Sequence, residues 1–74
     1  MNKKRRAEIS NIIKELNELK SRIETVLSEE ENYFENIPEN LETSIRAEES
    51  EDAIESLTDA ETDLESCIDS LSNI

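Results

Sequence analysis

The stretch Asn36-Ile37-Pro38-Glu39-Asn40-Leu41-Glu42-Thr43 decides the fold. It contains the only proline of a 74-residue chain that has no glycine at all. Pro38 disfavours helical geometry at Ile37 and removes one backbone donor. Asn36 and Asn40 flank it, and both residue types favour turns and caps. A helical turn beginning at Pro38 is compatible with proline's preference for a first helical position. No other segment carries such a break, so residues 36–43 are predicted to connect two long elements, with Thr43 or Ser44 capping the second.

Upstream of the break, apolar residues recur in steps of three and four. Ile9, Ile12, Leu16, Leu19, Ile23, Val26, Tyr33 and Ile37 form the series, and only Glu30 interrupts it. Ile13, Leu27 and Phe34 widen the stripe on one side. This is a heptad pattern with a third apolar position, as a helix facing a bundle core would show. A helix over 3–35, capped by Asn2, would be about 50 Å long.

Downstream, the sequence nearly repeats every seven residues: EDAIESL, TDAETDL, ESCIDSL, SNI, over residues 51–74. Leu57, Leu64 and Leu71 share one heptad position, and Ile54, Glu61 and Ile68 share the next. Ala53, Ala60, Cys67 and Ile74 form a flanking row of mostly small residues. The repeat predicts a coiled-coil-like helix over 44–72.

Two long helices joined by a short connection give an antiparallel hairpin. With the turn centred near residue 40, facing residues have numbers that sum to about 80. Ile9 then meets Leu71, Ile12 meets Ile68 and Leu16 meets Leu64. One register satisfies both stripes, which favours the hairpin over a single continuous helix. The expected fold class is therefore all-α: one domain over 1–74, an antiparallel two-helix hairpin. A compact chain this small buries only roughly 60% of its extended surface, and an elongated one buries less. Dimerisation into a four-helix bundle is the expected remedy.

Composition narrows function by exclusion. Without glycine there is no phosphate-binding loop, and without histidine the commonest general base and metal ligand is missing. A single cysteine makes neither an intrachain disulfide nor a four-cysteine zinc site. Cys67 is expected to be a small buried hydrophobe beside the seam. Carboxylates at helical spacing (Glu48 with Asp52, Glu51 with Glu55, Glu61 with Glu65) lack the loop geometry of a calcium site. No cofactor, metal or catalytic residue is expected. No apolar run is long enough to span a membrane, and the basic start lacks the apolar stretch of a secretory signal. A cytoplasmic location is expected.

Charge is polarised along the chain. The net charge is −12: residues 1–22 carry +4 and residues 23–74 carry −16. Folded as a hairpin, the chain would gather acid at its closed end. Strong acidity argues against a nucleic-acid backbone as partner. The basic run Lys3 to Arg6 is too short and too poor in aromatics to reverse that. The expected partners are a second copy and a basic protein. Candidate contacts are the acidic Glu31, Glu35, Glu48, Glu49, Asp52, Glu55 and Asp59, and the aromatic Tyr33 and Phe34 at the turn end. Tyr33, Phe34, Ile37, Leu41 and Ile45 are expected to plug that end. Glu30 and Arg46 are expected to form an ion pair across the hairpin, and Lys20 to neighbour the seam acid Glu61. Such polar residues in an apolar seam fix register.

The turn motif Asn36-Ile37-Pro38-Glu39-Asn40-Leu41, followed by Ser44-Ile45-Arg46 and an acidic heptad helix, resembles a type of small acidic protein encoded by bacterial phages and other mobile elements. The resemblance covers roughly residues 8–74. It implies a helical hairpin of mobile-element origin and no particular activity. By analogy with small acidic phage proteins that block host defence enzymes, the expected function is a non-catalytic module occupying a basic, nucleic-acid-binding site on a host protein such as a defence nuclease. The alternative is a structural protein acting only through its heptads.

Overall fold

The computed structural model describes residues 1–40 and 44–74 in full, and residues 41–43 by their backbone only. Helix α1 spans Lys3–Glu35 and helix α2 spans Leu41–Ser72. They pack against each other as a hairpin with extents of 60 × 15 × 12 Å.

The helix ends follow from local chemistry. Asn2 is extended, and its Oδ1 accepts a hydrogen bond from the Arg5 backbone N–H at 2.9 Å. That satisfies one of the donors left unpaired in a first turn. At the other end of α1, the N–H groups of Asn36 and Ile37 donate to the carbonyls of Tyr33 and Phe34, tightening the last turn. The Asn36 side-chain amide donates to the Asn32 carbonyl at 2.7 Å. Pro38 then ends any continuation. No described residue has positive φ, so this reversal needs no glycine.

α2 starts three residues earlier than the expected 44, so the break is 36–40 rather than 36–43. The Asn40 carbonyl accepts the first helical bond, from the Ser44 N–H at 3.0 Å. The Ser44 hydroxyl bonds back to the same carbonyl at 3.1 Å, as a serine inside a helix does, so Ser44 is not a cap. The cap expected at Thr43 lies outside the described side chains.

The seam between the helices has strict heptad spacing. In α1 the half-buried positions are 9, 13, 16, 20, 23, 27, 30 and 34, continuing to Ile37. In α2 the seam positions are 47, 50, 54, 57, 61, 64, 68 and 71, with Ser50 buried and the others half-buried, and Ala53 and Ala60 beside them are half-buried too. Glu30 faces Ser50, a pair whose numbers sum to 80. The seam therefore differs from the expected one. Ile13, Leu27 and Phe34 lie in it, whereas Ile12, Leu19, Val26 and Tyr33 are 36–49% exposed. A two-helix contact covers only a narrow strip of each helix, and α1 has apolar residues on more than one strip. Among the described residues no apolar residue is buried; Ser50 is, at 3% exposure.

Candidate functional site

Successive helical residues are rotated by about 100°, so residues just before and just after a seam position lie on opposite sides of the hairpin. The two sides are chemically unlike. The residues after the seam in α1 are Ser10, Lys14, Asn17, Ser21, Glu24, Ser28, Glu31 and Glu35. In α2 they are Glu48, Glu51, Glu55, Thr58, Thr62, Glu65, Asp69 and Ser72. This face has eight carboxylates, one cation and no apolar side chain. The residues before the seam include Ile12, Leu19, Val26 and Tyr33 of α1, and Ala53, Ala60 and Cys67 of α2. That face is apolar along its centre.

Grooves mark both sides. Glu31, Glu35, Glu51 and Glu55 surround a groove of about 330 Å³ floored by Phe34 and Ile54. On the other side, Leu19, Ile23, Val26, Leu57, Ala60 and Leu64, with Arg22, line one of about 440 Å³. A third, of about 460 Å³, lies at the turn end between Phe34, Ile37, Pro38, Glu39, Asn40, Ser44 and Ala47.

The seven expected acidic contacts are all exposed, but they do not form one surface. Glu31, Glu35, Glu48 and Glu55 share the acidic face. Asp52 and Asp59 follow one residue later, on the outer side of α2, and Glu49 precedes Ser50 on the apolar side. Glu24, Glu51, Glu65 and Asp69 belong to the acidic face and escaped the sequence reading. Their signal was their place immediately after a seam residue, which is visible only once the seam is known. Tyr33 and Phe34 part company: Phe34 is half-buried between two grooves, and Tyr33 is 49% exposed on the apolar face. Of the described members of the expected plug, Phe34 and Ile37 are half-buried. Ile45 is 63% exposed, and Leu41 lies outside the described side chains.

Ser50–Glu30 and Lys20–Glu65 are polar contacts that cross the seam. Ser50 Oγ donates to Glu30 Oε2 at 3.0 Å. The register sets Ser50 opposite Glu30, so Ser50 supplies this contact to Glu30, and Arg46 lies a turn further toward the closed end. Lys20 Nζ lies 2.9 Å from Glu65 Oε1 and 3.9 Å from Glu24 Oε1. Its pKa is raised above the ordinary 10.5, first by the hydrogen bond to Glu65, with partial burial opposing and the charges of Glu65, Glu24 and Glu61 assisting. Glu61 therefore lies within Lys20's field, but the direct partner is Glu65, which the long lysine side chain reaches along α2. Cys67 is exposed rather than buried, since it lies beside the seam and not in it.

No three of the Cys, Asp and Glu side chains converge as a metal site among the described residues. Nor is any described helix long and apolar enough to cross a membrane. Comparison with family models, curated proteins and solved structures finds no match.

Proposed function

We propose that this chain is a non-catalytic acidic binding module that works as a dimer of hairpins, a four-helix bundle, in the cytoplasm of a bacterial host. The acidic face occupies a basic, nucleic-acid-binding site on a host protein. The phage or mobile-element origin suggested by the turn motif makes a defence nuclease the natural target class, which the module would inhibit by presenting charge in place of DNA. One observation carries this reading: eight carboxylates line one face beside a single cation of that face, Lys14, and only Glu24 and Glu65 of the eight are met by the seam lysine Lys20. Such a surface recognises a partner through charge, which gives specificity and fast, salt-sensitive association. The apolar face supplies self-association and leaves the acidic faces outward.

The test pairs the protein with a panel of basic bacterial nucleases, with DNA as competitor. Binding is expected to weaken steeply with salt and to be lost when Glu31, Glu35, Glu51 and Glu55 are changed together to glutamine. Binding untouched by that change would overturn the reading. The second reading, a purely structural oligomerisation protein, is favoured by the exposed apolar face. It is supported instead if the protein assembles but binds none of the panel.

A further inference from the structure

The apolar face is regular in a way that identifies what covers it. Ile12, Leu19, Val26 and Tyr33 stand seven residues apart and are 36%, 44%, 49% and 49% exposed. They continue toward the N-terminus to Arg5, seven residues before Ile12. Beside them on α2 lie the small side chains of Ala53 and Ala60, so the groove between the helices is open to a neighbour. The whole chain exposes 5853 Å². A compact monomer of this mass would expose about 4,700 Å², so the hairpin carries on the order of 1,200 Å² more surface than its size requires. A standard interface takes about 800 Å² from each partner.

We propose that this face seats a second copy of the same chain, turned end for end, with the two α1 helices antiparallel against one another. The inference rests on the self-association proposed above and adds its face and direction. The stripe is symmetric about residues 22 and 23. An antiparallel α1 pair therefore sets Ile12 against Tyr33 of the second copy and Leu19 against its Val26, and the two-fold axis repeats both contacts. Charge selects this direction. Two hairpins can stack face to face either with their closed ends together or with their closed ends apart. The first puts two strongly acidic turn ends side by side. The second brings the basic start, Lys3 to Arg6, against the acidic turn end of the other copy, where Glu39 stands.

The experiment uses full-length protein with Cys67→Ser and a single spin label at Asn11→Cys or Thr25→Cys, both on the outer side of α1. Sedimentation equilibrium gives the mass, and pulsed electron–electron measurements give distances between copies. In the antiparallel arrangement residue 11 and its copy are about 35 Å apart along the rod, and residue 25 and its copy less than about 10 Å. A residue-11 distance more than about 15 Å longer than the residue-25 distance supports the proposal. A dimer with equal distances at both positions overturns the direction and leaves self-association standing. A monomer with no distance between copies overturns both. The paired change Leu19→Glu and Val26→Glu should yield monomers; a dimer that survives it places the interface on another face and overturns the proposal.

Discussion

Ser50 occupies the heptad position of Leu57, Leu64 and Leu71, and it is the one buried residue among those described. Its hydroxyl is held because Glu30 interrupts the apolar series opposite it and would otherwise press a carboxylate against a leucine. A hydrogen bond to a charged acceptor is worth about 1.5–3 kcal/mol when well buried, and less here because Glu30 is partly open to water. Ser50→Ala should therefore lower stability by about 1 kcal/mol, read as a lower urea midpoint. The double change Ser50→Ala with Glu30→Leu removes both polar groups and should recover or exceed the original midpoint. An unchanged midpoint in the single variant would show that the contact carries no energy. Both members were visible in sequence, Glu30 as a break in one stripe and Ser50 as a break in the other. The heptad sum of 80 that joins them is in the sequence too, with Arg46 a full turn from Ser50.

The pairing of the helices was legible in the sequence, but the choice of strip was not. α1 has apolar residues at three heptad positions, and periodicity alone does not say which two face α2. The strip with Ile12, Leu19, Val26 and Tyr33 is the more apolar, yet the hairpin uses the strip containing Lys20 and Glu30. That selection depends on the partner helix: Ser50 accommodates Glu30, and Glu65 accommodates Lys20. The Lys20–Glu65 contact gives the helix pair a measurable pH signature. Because folding raises the lysine's pKa above 10.5, its contribution is complete below that value and is lost as pH rises through the folded value. The stability difference between the native chain and Glu65→Gln should be steady from neutral pH upward and then shrink above pH 10.5. Groups common to both proteins cancel in that difference. A difference that persists undiminished into strong alkali would remove the ion pair as its source.

As a whole molecule, the hairpin is a rod with a radius of gyration of 17.3 Å. A compact 74-residue domain would have about 11 Å. A rod of two helices has no interior, which is why no described apolar side chain is fully buried. Stability taken from a second copy must follow mass action, because association favours the folded form only as far as copies meet. Unfolding enthalpy runs at about 0.7 kcal/mol per residue near 60 °C, or about 100 kcal/mol for two chains. If folding and association are one transition, a hundredfold rise in concentration should raise the thermal midpoint by about 10 °C. Circular dichroism at 222 nm, the standard helical band, would follow it. Leu19→Glu with Val26→Glu should flatten that dependence while Glu55→Gln, on the opposite face, should leave it intact. A midpoint independent of concentration in the native chain would mean that the narrow seam alone sustains the rod, and the exposed stripe of α1 would then need an occupant other than its own copy.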